Sequence, residues 1–353
     1  MGRDAEGFGT EDRAAAAAVR GTNEAGVRRK GQKTRRGPGS GSCSGSSSRS
    51  GSGSSFRVLV AGALVAAACV TEPEAQGPKP DIKFDSSRAY EHLRQVVSFG
   101  PRPSGSPAIE RTRQYIIEQL KTAGVAVTPQ SFVAKTPIGD IPMVNLIATI
   151  PGARPDRIAI TGHYDTKLFR EFRFVGANDA GSSTAFLIEI ARVLKARQNA
   201  LTIELMFFDG EEATLRDWGG TDHTYGSQYY VDNGRKTGTL SGLKAMVLVD
   251  MIGERSPRFM REANSTPWLT DIIWSTAQKL GHGSVFVNAS TPIEDDHVPF
   301  LKAGVPSADI IDLDYPEWHA PGDTLDQTSA RSLQVVGDVV LASLAPIEAR
   351  LAK

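Results

Sequence analysis

The sequence predicts an α/β protein: a single three-layer α/β/α domain around a mostly parallel, mixed central sheet. Three observations carry that reading. From about residue 86 onward, short apolar runs of strand length alternate with longer segments of helical period. Acids and histidines collect where the strand-like runs stop. One run, Leu205-Met-Phe-Phe-Asp-Gly-Glu-Glu-Ala213, drives four apolar residues into Asp209-Gly210 and then two adjacent carboxylates, Glu211 and Glu212. The ends of strands are where open α/β sheets keep their chemistry. Two neighbouring glutamates after a buried strand are costly unless a metal or a proton relay uses them. Taken alone, such a pair reads more readily as a solvated loop.

The elements follow in order. Ser86–Val97 reads as a short helix. Phe99-Gly-Pro-Arg-Pro-Ser-Gly-Ser-Pro107 is a rigid, turn-rich loop. Ala108–Ala123 carries Tyr115, Ile116 and Leu120 at helical spacing and stops at Gly124. Val125–Val133 alternates as a strand does, Met143–Ile150 is a second strand, and Arg157–Thr161 a third that leads into Gly162-His-Tyr-Asp165. After Gly176-Ala-Asn-Asp-Ala-Gly181, Ser182–Ala196 is an amphipathic helix. Leu201–Phe208 is a strand, Tyr225–Asn233 helical, Ala245–Asp250 a strand, Pro267–Leu280 a helix, Ser307–Ile311 a strand and Ser329–Leu351 the closing helix. No internal repeat appears, and residues 85–353 read as one catalytic domain.

The N-terminus is different. Residues 1–55 are rich in Arg, Gly and Ser and nearly free of large apolar groups, so disorder is expected there. Residues 56–70 contain Val58-Leu-Val-Ala-Gly-Ala-Leu-Val-Ala-Ala-Ala-Cys-Val70, too short to span a bilayer comfortably but suited to a secretory leader. Export to a periplasmic or extracellular location is expected from it. Cys69, after three alanines, is a candidate lipid-attachment site, although Ala66 stands where leucine is usual. Residues 71–84 form a Pro-containing linker. The other cysteine, Cys43, lies in the leader, so no disulfide is expected in the mature domain. Forty basic residues balance forty acidic ones, which argues against a nucleic-acid or anionic-membrane partner.

The acids and histidines sit at successive strand-to-helix junctions. His163 and Asp165 close one strand, Asp179 opens a helix, Glu211 and Glu212 close another strand, and Asp250 the next. His319 follows the last core strand in Tyr315-Pro-Glu-Trp-His319. Imidazole and carboxylate together suit Zn²⁺. Singly each has a plainer reading: His163 as a structural histidine, Asp179 as a helix N-cap. The whole set is hard to reach by chance.

These motifs carry a resemblance. HYD at 163–165, NDAG at 178–181, FFDGEEA at 207–213, VDMIG at 249–253 and WH at 318–319 resemble the zinc aminopeptidase fold family. Within it, the sequence is most similar to the zinc-dependent glutaminyl-peptide cyclotransferases. HYDTK (163–167), FVGANDA (174–180), Trp218 followed by Asp222-His-Thr-Tyr-Gly-Ser227, and Asp295-Asp-His-Val-Pro-Phe-Leu301 favour that branch. The resemblance covers about residues 86–352 and implies residue roles. Asp179, Glu212 and His319 would bind one catalytic zinc. Glu211 would be the general acid/base, with Asp250 and Asp295 completing the proton and hydrogen-bond network. Trp218, Trp318, Glu294 and Tyr315 would shape the substrate pocket. The implied substrate is a peptide or protein N-terminus beginning with glutamine, and no stable membrane span is expected.

The sequence also departs from that branch. Glu294 stands where the cyclotransferases carry a neutral glutamine, one residue is missing between Glu317 and Trp318, and Ala320-Pro-Gly-Asp-Thr-Leu-Asp326 is closer to the aminopeptidases. The aminopeptidase alternative would add a second zinc on His163 and Asp250, with Asp179 bridging and Glu211 activating a water. Ligand identity does not choose between the two; the pocket residues Trp218, Asp295 and Trp318 favour the cyclotransferase. A non-catalytic scaffold is disfavoured, because no ligand or base is missing.

Overall fold

The computed structural model describes residues 82–352. The leader, the apolar segment 56–70 with Cys69, and the linker up to residue 81 lie outside the described residues. Residues 82–84, assigned to the linker, belong to the folded body: Phe84 is buried and packs 5.4 Å from the ring of Phe186.

Helices α1 (Ser86–Ser98) and α2 (Pro107–Thr122) come first. The Asp85 carboxylate caps α1 by accepting from the Ser87 and Arg88 amides, and Ser106 caps α2 ahead of a proline at its first position. Strands β1 (Ala126–Thr136) and β2 (Gly139–Ile150) then form an antiparallel hairpin. Next come β3 (Arg154–His163), α3 (Ser183–Ala196), β4 (Leu201–Phe208), α4 (Tyr225–Thr237) and β5 (Leu243–Asp250). The chain ends through β6 (Phe259–Glu262), α5 (Pro267–Lys279), β7 (Phe286–Thr291), α6 (His297–Lys302), β8 (Ser307–Ile311) and α7 (Ala330–Leu351).

The main sheet has the order β1-β2-β4-β3-β5-β8. β4, β3, β5 and β8 pair in parallel, while β1–β2 and β2–β4 are antiparallel. The sheet is therefore mixed because its N-terminal hairpin joins the parallel core at β4. β1 is an edge strand, which tolerates Pro129 in its interior. Alternation along β4 shows the three layers. Leu205 and Phe207 face one hydrophobic core with α1, α3, α5 and α7, and Met206 and Phe208 face the other with Tyr230 of α4 and Phe300 of α6. Each of these buried side chains contributes about 1.5–3 kcal/mol.

Three elements escaped the sequence reading. β6 and β7 pair with each other in a small parallel side sheet, and α6 is a six-residue helix between β7 and β8. β6 has only four residues, β7 is half polar, and α6 contains Pro299, so none shows a strong period. Among the described residues, α7 alone is long and apolar enough to cross a bilayer, and its Leu333, Val336, Val339, Val340 and Leu344 are packed in the core.

Candidate active site and metal centre

Parallel pairing sets the site. His163 of β3 lies level with Phe208 of β4, and Asp250 ends β5 beside it, so three strand ends deliver their following residues to one place. After β4 the chain turns sharply. Gly210 has φ +76°, and a Cβ there would lie 2.3 Å from Met143 Sδ. Asp209 anchors the turn from below, accepting from Ser104 (2.6 Å), Arg113 (3.1 Å), the Val144 amide (2.9 Å) and Tyr164 (3.2 Å). Asp165 holds it from the side. One of its carboxylate oxygens accepts the Glu211 amide at 3.2 Å and the other the Glu212 amide at 3.3 Å. The two glutamates are therefore fixed through their backbone, which leaves both side chains free for chemistry.

Asp179 comes from the Ala177–Ser182 turn ahead of α3. It is not a helix cap. α3 begins at Ser183, and Asp179 has non-helical φ −106°, ψ 98°. The turn is held by Asp323, whose two oxygens accept the Asn178 and Asp179 amides at 2.8 and 3.1 Å. Arg102 braces the approach, donating to the carbonyls of Tyr164 (3.0 Å), Val175 (2.6 Å) and Gly176 (2.9 Å). Burial lowers this guanidinium to about 10, with Asp323, Asp179 and Asp165 opposing the shift.

The ligand-type groups converge on Asp179. His163 Nε2 lies 3.1 Å from Asp250 Oδ1 and 3.2 Å from Asp179 Oδ1. His319 Nε2 lies 3.2 Å from Glu212 Oε1 and 3.5 Å from Asp179 Oδ2. Two candidate cation-binding groups result, His163/Asp179/Asp250 and Asp179/Glu212/His319. The donor chemistry fits a zinc ion: two carboxylates and an imidazole in each group, with Glu212 Oε2 buried and without a hydrogen-bond partner. Lys167 is buried nearby, its Nζ 3.7 Å from that oxygen. His319 is held by aromatic rings: Trp318 stacks on it at 4.4 Å, while Phe169 and Phe174 meet it edge-on at 5.8 and 6.0 Å.

Glu211 belongs to neither group. It is buried, with Oε2 3.7 Å from His163 Nδ1. Burial pushes its carboxyl well up; His163 opposes this, and Asp295 and Glu212 add to it. Burial also raises Asp295 to about 7, with Asp250 contributing. Glu211, Asp250 and Asp295 share with Asp179 and His319 a cavity of about 220 Å³. Trp218, Trp318 and Glu294 line it as well. Trp218 stacks on His223 at 4.6 Å, so its indole is a backed wall.

Tyr315 is elsewhere. It is buried behind the site, packed with Met251 and Ile311, and its hydroxyl donates to Asp323 at 2.9 Å. It therefore supports the Asp179 turn through Asp323 instead of lining the pocket. The sequence reading placed Asp165 only as a member of the acidic and histidine cluster and gave no role to Arg102, Asp323 or Lys167. Asp165 and Lys167 stood in the HYDTK motif and Arg102 in the turn-rich loop, but their partners are backbone groups or a side chain distant in sequence.

The profile of peptidase family M28 matches residues 145–344. A glutaminyl-peptide cyclotransferase-like protein of Bos taurus is 30% identical over 283 residues, covering 71% of this chain and 73% of its own. A crystal structure of Acidobacteriales bacterium glutaminyl cyclase superposes with a TM-score of 0.73 at 38% identity, covering 79% of this chain and 100% of that one. A leucine aminopeptidase precursor from Bacteroides thetaiotaomicron superposes with a TM-score of 0.70 at 27% identity, covering 76% of this chain and 99% of that one.

Proposed function

The chain belongs to peptidase family M28, and from that premise we propose that it is a glutaminyl-peptide cyclotransferase. Its substrates are peptides and proteins that begin with glutamine, which it converts to pyroglutamate with release of ammonia.

One observation carries the mechanism. Two adjacent glutamates follow β4 after its Asp209-Gly210 turn; Glu212 is one of the candidate ligands, and Glu211 is buried on the cavity floor outside both candidate groups. Asp179, Glu212 and His319 would hold one zinc ion, which supplies Lewis-acid polarisation of the substrate's γ-carbonyl. The substrate's own α-amine attacks its γ-carboxamide carbon; the new C–N bond forms and the bond to the amide nitrogen breaks. Glu211 accepts the amine proton and returns it to the departing nitrogen, which leaves as ammonia. Burial raises this carboxyl, which suits a group that must both take and give a proton. Asp295 and Asp250 lie on the same floor and would orient the amine. Trp218 and Trp318 would enclose a short, folded glutamine side chain and exclude water.

A second reading, a two-ion aminopeptidase, rests on the His163/Asp179/Asp250 group, which converges as closely as the first. The nucleophile already resides in a glutamine substrate, so the cyclotransferase needs no second ion. The likeness to the Acidobacteriales bacterium glutaminyl cyclase, at 38% identity, supports the same reading. Ammonia release from a Gln-initiated dipeptide amide tests the proposal. Release that a chelator stops and zinc restores supports it. Free leucine from Leu-peptides, with no ammonia from Gln-peptides, overturns it.

A further inference from the structure

The catalytic cavity has a buried floor and an exposed rim. Its floor is Asp179, Glu211, Asp250, Met251 and Asp295, all buried. Its exposed lining residues are Pro292, Glu294 and Trp318. A peptide whose first residue reaches the floor leaves across this exposed rim, of which Glu294 is the charged member. Two further cavities open on that residue. A polar one of about 220 Å³ lies towards His223 and Arg235, and an open groove of about 660 Å³ runs over Pro292, Ile293, Val298 and Leu301 to Lys302. Glu294 lines all three.

The Glu294 carboxylate makes no hydrogen bond among the described residues; His223 Nε2 and the Lys302 ammonium each lie 4.0 Å away. The buried His223 Nε2 also lacks a hydrogen-bond partner. A charge at the crossing of three cavities, on the exit line of the substrate, is placed to read the residue after the glutamine.

We infer that the enzyme recognises its peptide beyond the first residue: Glu294 selects a cationic second residue, and the groove over Val298 and Leu301 seats an apolar third. This rests on the cyclotransferase reading. In an extended peptide, successive side chains point to opposite sides, so the second can meet Glu294 while the third turns into the groove. The groove's volume is in the range of ligand sites, and its Val298 and Leu301 floor is half-buried. An exposed charge pair of this kind is worth about a two- to five-fold preference, expressed in KM more than in kcat.

The experiment compares kcat/KM for Gln-Lys-Leu-amide, Gln-Glu-Leu-amide and Gln-Lys-amide on the zinc-loaded enzyme. The wild type should prefer Lys to Glu at the second position by about two- to five-fold, through KM. Glu294→Gln should bring that ratio to about one and Glu294→Lys should invert it, by removing or reversing the charge. Leu301→Asp should lower the tripeptide towards the dipeptide. Equal turnover of all three peptides, or a Lys/Glu ratio that Glu294→Gln leaves in place, overturns the inference alone. Absence of ammonia from every Gln-peptide overturns the cyclotransferase reading and this inference with it.

Discussion

Asp165→Asn is the most informative single change in the scaffold of the site. Asp165 is fully buried, accepts the Glu211 and Glu212 amides at 3.2 and 3.3 Å, and lies 3.5 Å from His163 Nδ1. Asparagine keeps its shape but only one acceptor oxygen, and its NH₂ group then faces a backbone N–H. One charge-assisted bond is lost and the other becomes neutral, at a cost of about 2–4 kcal/mol. Removing a negative charge from among Asp179, Glu211 and Glu212 offsets part of this, leaving about 2 kcal/mol of net destabilisation. For a domain of this size that lowers Tm by about 3–4 °C. The turn after β4 also loosens, so Glu211 shifts relative to Glu212, and the rate should fall about 10- to 100-fold, as misplacement of a reacting group by about 1 Å does. Differential scanning fluorimetry and ammonia release read the two effects. An Asp165→Asn protein that melts within about 1 °C of the wild type and keeps its rate would refute the reasoning, since the expected shift is several times larger.

The other expectations are these. Glu211→Gln should keep the fold and the zinc but lose at least about 10²-fold in rate, the low end for a general acid/base, in a steady-state ammonia assay; a rate near wild type would remove Glu211 from the mechanism. Elemental analysis should find one zinc per chain, lost from Asp179→Ala, Glu212→Ala and His319→Ala and retained in His163→Asn; a second zinc that leaves together with activity in His163→Asn would favour the aminopeptidase. Glu262, fully buried under the site, should support acid-dependent stability. Burial alone would raise its carboxyl, but hydrogen bonds from His297, the Asn264 amide and the Ile293 amide hold it at about 2. With a folded value below the unfolded one, its stabilisation of about 3 kcal/mol is complete above about pH 5 and fades as pH falls towards about 2. Glu262→Gln should therefore be less stable than wild type at pH 7 by chemical denaturation, with the gap closing as pH falls from about 5 to 2; equal stability at pH 7 would contradict this.

Much of this architecture was legible because its signals are local. Leu201–Phe208 and Ser307–Ile311 are short, mostly apolar segments of strand length, and the structure gives them the same ends. Asp179, Glu212 and His319 were findable because each follows a strand-like run or its loop, and the parallel sheet brings those ends together. What was not legible depends on distance in the chain. Asp323 supports Asp179 across 144 residues, and Arg102 reaches carbonyls more than 60 residues away. No period or spacing announces a side chain whose partner is a remote backbone group. Tyr315 shows the same limit: an aromatic residue beside the site motif read as a pocket wall, yet its hydroxyl is drawn inward to Asp323. The short β6, β7 and α6 take their form from packing against the main sheet and α5, which a local reading does not contain.

The most direct test of the central claim is the mass of a Gln-initiated peptide and a Leu-initiated peptide incubated together with the zinc-loaded protein. The account predicts that the Gln-peptide loses ammonia and becomes its pyroglutamyl form, while the Leu-peptide keeps its mass. Loss of the first residue from the Leu-peptide, with the Gln-peptide uncyclised, would contradict it.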